Sequence, residues 1–157
     1  MYIIEQHIIN NDIVSSLEHI LDECVETNNK LIAYNSTCTK GGIQTENLCG
    51  YKNVNELINK ILNDIRHSEL KIKHVHMISY DTGGSQEIHD HKNTESYSFI
   101  LYLSTCDTGG ETVFVDDEKN ETKILPEKGN LLFFDSRLMH YAKSTKDKKK
   151  VVVVALV

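Results

Sequence analysis

Apolar residues recur at intervals of three and four through Ile13, Val14, Leu17, Ile20, Leu21, Cys24 and Val25. That is the repeat of one helix face, and it predicts an amphipathic helix over residues 12–28. Val54, Leu57, Ile58, Ile61, Leu62 and Ile65 repeat the pattern, with Asn53 placed as N-cap and Glu56 three residues on as its capping-box partner. Between the two helices, residues 29–52 mix Thr, Asn, Gly and Lys without a period, which predicts a long loop with one strand near residues 30–34. From Leu70 the grammar changes to short runs rich in Val, Ile, Phe, Tyr and Thr, broken by Gly, Asp, Asn and Lys. Strands are predicted near residues 70–80, 86–91, 96–104, 111–116, 121–125, 130–134, 139–143 and 150–156. Short strands joined by turns such as CDTGG, DDEKN and PEKGN predict an α+β, mainly β chain. The β part would be an antiparallel sandwich or barrel of jelly-roll type, with both helices packed outside one sheet.

Composition narrows the class. At 157 residues, 39% hydrophobic and 25% charged, the chain is expected to be a single domain over residues 1–157, with residues 1–69 as helical support and loop and 70–157 as the β core. A net charge of −6 argues against a phosphate-backbone binder, so no nucleic-acid partner is expected. The opening MYIIEQHIINNDIVSS has no basic segment followed by an apolar stretch and cleavage site, and no apolar run is long enough to span a bilayer. A cytoplasmic protein without a membrane partner is the expectation. Cys24, Cys38, Cys49 and Cys106 form no CxxC pair, which argues for reduced thiols and against a structural zinc knot.

Candidate chemistry rests on histidine, with eight in a chain that has no Trp and one Pro. In YDTGGSQEIHDH, strand alternation puts His89 and His91 on the same side and Asp90 on the other. His140 follows the apolar run LLFF, on a strand that a jelly roll can bring alongside. Two ligands from one strand and a third from a distant one make a facial set, leaving the opposite face of an octahedral metal open. His74 and His76 share the HxH spacing but no pattern supplies a third partner, so a structural role is expected for them. His7, His19 and His67 lie on or near helices and are expected at the surface.

The features from His74 onward, taken in order, resemble a prolyl 4-hydroxylase of the iron and 2-oxoglutarate dioxygenase superfamily. Tyr80 and Gly83 match the tyrosine and glycine ahead of the first ligand, His89 matches that ligand, and ILYLS at 100–104 matches the following apolar strand. GGETVF at 109–114 and LPEKGNLLFF at 125–134 match two further signatures, and His140 matches the last ligand. Lys150, ten residues on, matches the basic residue that holds the distal carboxylate of 2-oxoglutarate. The resemblance implies a double-stranded β-helix with two N-terminal supporting helices. It also implies Fe(II), 2-oxoglutarate as cosubstrate, O2, ascorbate as an optional reductant, and hydroxylation of a protein or peptide side chain, prolyl foremost. It places His89, His91 and His140 on the metal, Lys150 and Tyr102 on the distal carboxylate, and Tyr80 near the metal.

Several readings stay open at this level. The family pattern is His-x-Asp, whereas His91 stands at the carboxylate position, so either the site uses three histidines or a bulge turns Asp90 inward. Lys149 competes with Lys150, since alternation sends one of them outward. GGET at 109–112 reads as a tight turn without side-chain chemistry, with Gly109 or Gly110 at positive φ. Asp135 and Arg137 flank the mouth near His140 and read as a surface ion pair. Gly83, His89, His91 and Glu95 also satisfy the first metal motif of cupins, but Leu132 stands where the second would need histidine. The rival functions are therefore a catalytically inactive binding module of the same fold and a three-histidine oxygenase that uses no keto acid.

Overall fold

The computed structural model describes residues 4–29, 31–32, 38–90 and 95–157. In chain order the elements are β1 (Ile4–Ile8), α1 (Asn11–Thr27), β2 (Leu31–Ile32), β3 (Thr39–Thr45), α2 (Lys52–Asp64), β4 (Ile72–His89), β5 (Tyr97–Tyr102), β6 (Thr112–Val115), β7 (Glu121–Ile124), β8 (Asn130–Asp135), β9 (Met139–Ala142) and β10 (Lys149–Leu156). The strands form one hydrogen-bonded antiparallel sheet in the order β1-β8-β5-β10-β4-β9-β6-β7, with β3 also paired to β4 and β2 to β3. The sheet curls on itself because β4 serves both halves. Its first part pairs with β10, from Ile72↔Leu156 to Tyr80↔Lys149, and its last part pairs with β9 through His89↔His140.

The corner lies at Gly83 and Gly84. Gly83 has φ +88°, a conformation that favours glycine, and a Cβ on Gly84 would come within 2.6 Å of the Gly41 carbonyl oxygen where β3 crosses. The two strands predicted at 70–80 and 86–91 are thus one bent strand, since the glycines redirect the backbone while pairing to β3 continues from Gly42↔Tyr80 to Lys40↔Ser85.

Side-chain alternation divides the apolar residues between two cores. Val75, Met77, Phe99, Leu101, Leu131, Phe133, Val152 and Val154 face α1 and α2, where Leu17, Leu21, Ile58 and Ile61 close over them. Their sequence neighbours Ile78, Tyr80, Ile100, Tyr102, Leu132, Phe134 and Val151 face the concave interior, with Phe114 and Leu138 opposite. Both faces of β5, β8 and β10 are covered, and so these strands read as unbroken apolar runs. The helices pack outside one sheet, as the amphipathic patterns predict, and the architecture is the expected jelly roll.

Four local expectations are corrected. The stretch 29–52 holds more than the one strand expected near residues 30–34: β2 lies there, the rest of that expected strand falling outside the described residues, and β3 pairs along β4 as a short glycine-containing strand whose composition hides any alternation. β1 was not foreseen and pairs with β8. α2 begins at Lys52 after Tyr51, which supplies no side-chain cap, so Asn53 lies inside the first turn. His7 and His67 are half-buried: both Nε2 atoms meet Glu5 Oε2, at 2.9 and 3.1 Å, and the His67 ring stacks on Phe133. They hold Glu5 below the ordinary carboxylate range against the opposing cost of burial. α1, by contrast, is capped as composition suggests, with the Asn10 side chain accepting from the Asp12 amide at 2.8 Å. All four cysteines are free thiols.

Candidate active site

His89 and His140 sit opposite each other across the β4–β9 pair, with ring centroids 4.2 Å apart. His140 is buried, 2% exposed, against Phe134 and Phe114, whereas His89 is half-buried. Each ring is oriented by the same local device. His89 Nδ1 donates to the Glu87 carbonyl at 2.7 Å, and His140 Nδ1 donates to the Leu138 carbonyl at 3.0 Å. A carbonyl can only accept, so both Nδ1 atoms carry the proton and both Nε2 atoms carry the lone pair that a metal requires. The donor set therefore fits a metal ion. Among the described residues no three metal-ligating side chains converge. Asp90 follows β4 and is half-buried, and His91 lies outside the described residues.

Further into the concave interior is a polar cluster that the histidine pattern does not announce. Lys149 is 1% exposed; its ammonium lies 4.5 Å from the centre of the Tyr80 ring and donates to the Gly110 carbonyl at 3.0 Å. Burial pushes its pKa down to about 8. Among the described residues no carboxylate stands within ion-pair distance of it, although a buried cation is costly unless paired. The Tyr102 hydroxyl bonds to Thr112 Oγ1. Both Tyr80 and Tyr102 are buried, which raises their pKa values well above the ordinary tyrosine value and keeps them as hydroxyl donors. Between this cluster and the histidines lie two small cavities of about 20 and about 140 Å³, both touching Gln86, Ile100, His140 and Val153.

The expected place of Lys150 is corrected. In β10 the concave positions are Lys149, Val151 and Val153, and Lys150 shares the outer face with Val152 and Val154. Its ammonium pairs with Asp22 Oδ1 at 2.8 Å and Glu18 Oε2 at 3.3 Å on α1. Those two carboxylates raise its pKa against the opposing effect of burial. The spacing from His140 misses this because β10 is apolar on both faces, so only its register, Lys149↔Tyr80, reveals which lysine turns inward. Tyr80 thereby lies at the depth of Lys149, and Tyr102 meets Thr112.

The GGET stretch is more than a turn. Gly109 and Gly110 both have positive φ, at 75° and 74°, and the stretch also supplies the Gly110 carbonyl to Lys149 and Thr112 to Tyr102. Thr112 and Gln86 are site residues that sequence reasoning missed; alternation with Phe114 along β6 was the available signal for Thr112, whereas the irregularity between Gln86 and His89 puts Gln86 out of step with the ligand and leaves it none. Asp135 and Arg137 form the expected exposed pair, with Arg137 Nη2 2.6 Å from Asp135 Oδ2.

Comparison with known proteins places this geometry in context. A family model described as the 2OG-Fe(II) oxygenase superfamily matches residues 74–156. No curated protein sequence matches the chain. Among solved structures, a prolyl-4-hydroxylase from Pseudomonas putida superposes with TM-score 0.78 at 16% identity, covering 99% of this chain and 91% of that one. A viral collagen prolyl hydroxylase from Paramecium Bursaria Chlorella virus-1, in a 2OG complex, gives TM-score 0.66 at 19% identity over 98% and 94% of the two chains. The non-heme alpha ketoglutarate dependent epimerase SnoN, from nogalamycin biosynthesis, gives TM-score 0.79 at 11% identity over 99% and 77%. At these identities the structures attest a shared fold.

Proposed function

Because the chain belongs to the 2OG-Fe(II) oxygenase superfamily, we propose that it is an iron- and 2-oxoglutarate-dependent dioxygenase hydroxylating a protein or peptide side chain, with proline the first candidate. The observation that carries this reading is Lys149, a buried ammonium lining a small cavity together with His140, beside a second cavity that shares His140, Gln86 and Ile100 and is lined by His89 as well. A dicarboxylic keto acid answers both ends, one carboxylate pairing with Lys149 and the keto-acid end reaching the metal. The solved prolyl hydroxylases, one of them with a peptide of hypoxia inducible factor from Trichoplax adhaerens, support a peptide substrate. The epimerase shows that the same fold also accommodates another reaction.

In this mechanism His89 and His140 would hold the iron through Nε2, and His91 or Asp90 would complete the set. Lys149 would neutralise the charge of the distal carboxylate, with the Tyr102 and Thr112 hydroxyls beside it and the face of the Tyr80 ring against the ammonium. The apolar wall of Ile78, Ile100 and Val151 separates that charge pair from water and so strengthens it. Bound iron with 2-oxoglutarate supplies the activation of dioxygen and the oxidising power needed to hydroxylate an unactivated carbon. The protein contributes ligand orientation, through the Glu87 and Leu138 carbonyls, and the exclusion of water.

The test is purified protein with ferrous iron, labelled 2-oxoglutarate and candidate peptides. Succinate release above a His140→Ala control is expected, and none above that control sinks the proposal. The histidine at the carboxylate position favours a second reading, an inactive module of the same fold. Calorimetry separates the two, because an enzyme binds Mn(II) and 2-oxoglutarate together. A His91→Asp variant that retains or gains turnover supports the enzyme.

A further inference from the structure

The cavity of about 140 Å³ that touches both His89 and His140 is also lined by two carboxamides, Gln44 and Gln86. They come from different strands. In β3, Gln44 stands opposite Ile78, a residue of the concave core, so its half-buried side chain shares that face. In β4, Gln86 stands opposite Thr39 and Ala142, and its Nε2 donates to Thr39 Oγ1 at 3.2 Å. An amide nitrogen carries two hydrogens. One on Gln86 and both on Gln44 therefore have no hydrogen-bond partner among the described residues.

The other groups on that lining are poorer donors. His89 and His140 give their Nδ1 protons to backbone carbonyls and keep lone pairs on Nε2. Ile100 and Val153 are apolar, Cys38 offers a weak S–H, and His76 meets His74 through Nδ1 at 3.2 Å. The cavity thus combines amide N–H donors with two metal-binding nitrogens. Its size narrows the occupant, because about 140 Å³ lies below the range of ordinary ligand pockets and takes a group of a few atoms. A chamber of about 410 Å³, lined by His74 and His76 and sharing Val153 with the cavity, has the volume for a larger substrate. Through Gln86, Ile100 and His140 the cavity adjoins the smaller one that Lys149 lines. A small group that sits at a metal among N–H donors, and is reached from Lys149, has the chemistry of a carboxylate. One of its oxygens can bind the metal, and the lone pairs of the other need donors once water is excluded.

We propose that Gln44 and Gln86 bind the carboxylate next to the keto group of 2-oxoglutarate, and so select a 2-oxo acid over a simple ketone of the same length. The proposal rests on the dioxygenase reading for the identity of the ligand. Gln44 donates from β3 and Gln86 from β4, with Thr39 holding the Gln86 amide in place.

The experiment is titration calorimetry of the Mn(II)-loaded full chain with 2-oxoglutarate and with levulinate, which keeps the ketone and the distal carboxylate but has a methyl group in place of the other carboxylate. The variants are Gln44→Leu, Gln86→Leu and the near-isosteric Gln44→Glu. Expected is about tenfold weaker binding of 2-oxoglutarate in each leucine variant, the ordinary loss of a hydrogen bond to a charged group, with the affinity for levulinate unchanged. Gln44→Glu should lose more, because its carboxylate repels that of the ligand. Unchanged 2-oxoglutarate affinity in the variants overturns the proposal, as does an equal loss for both ligands, which marks a distorted cavity. Where a leucine variant fails to fold, Gln44→Glu decides by the same comparison of the two ligands. Wild-type protein that takes up Mn(II) but no 2-oxoglutarate fails the dioxygenase reading and the proposal together, whereas wild-type binding that the variants do not weaken fails the proposal alone.

Discussion

Lys149 and Lys150 are adjacent, chemically identical and placed in opposite worlds. Replacing Lys149 by Met, which preserves volume and removes the buried charge, is expected to weaken 2-oxoglutarate binding by about 100-fold. The same change removes a costly buried charge together with its bond to the Gly110 carbonyl, so the midpoint of thermal unfolding should move little. Lys150→Ala should leave that affinity unchanged and cost about 1 kcal/mol or less, the ordinary value of an exposed ion pair. Calorimetry and thermal melts on both variants check the pair. The folded-state pKa of Lys149, about 8, lies below the ordinary lysine value of 10.5. Between the two the unfolded chain binds more protons, so this group makes stability rise with pH across that window, and its burial penalty is in full force below it. Affinity for a dicarboxylate runs the other way: it should be flat below about pH 8 and fall about tenfold per pH unit above it, as titration calorimetry at several pH values would register. The inward side of the pair was not legible because VVVVALV presents apolar residues to both faces, whereas His89 and His140 stood out where alternation and neighbouring motifs agree.

At the scale of elements, the crossing of β3 and β4 governs the curl of the sheet and hence whether His89 reaches His140. A Cβ on Gly84 would meet the Gly41 oxygen at 2.6 Å, the Asp81 oxygen at 3.0 Å and Tyr80 Cβ at 3.1 Å. These are mostly backbone atoms, so no side chain can move aside. Gly84→Ala should destabilise by about 1–3 kcal/mol, seen as a lower urea midpoint, and should weaken metal binding because the corner carries the His89 strand. Asn10→Ala, which removes the α1 cap, should cost about 1 kcal/mol and leave metal binding untouched, since α1 packs on the outer face. Both helices were legible because one covered face makes a period of three and four. β3 was not, because a short strand with two adjacent glycines carries no period.

For the whole molecule, the curled sheet gathers groups from β4, β6, β9 and β10 that are far apart in the chain, and ligands joining them should stabilise the fold. Mn(II) with 2-oxoglutarate, each at about 100 times its dissociation constant, should add about 2.7 kcal/mol per bound ligand by mass action, read as a raised melting midpoint. Lys149→Met should keep the metal increment and lose that of 2-oxoglutarate. By itself the sequence determined the class of the protein. Two helix periods, short β runs and the ordered string from His74 to His140 specified a jelly roll with outer helices and named two of its metal-binding candidates, because those signals are local and each is repeated within its own segment. The tertiary structure alone decided that Lys149 rather than Lys150 enters the interior, that Thr112 and Gly110 complete its surroundings, and that His74 and His76 line a chamber beside the histidine pair. These facts depend on which residue of one strand stands opposite which residue of another, and that register is set by packing both faces of the sheet at once.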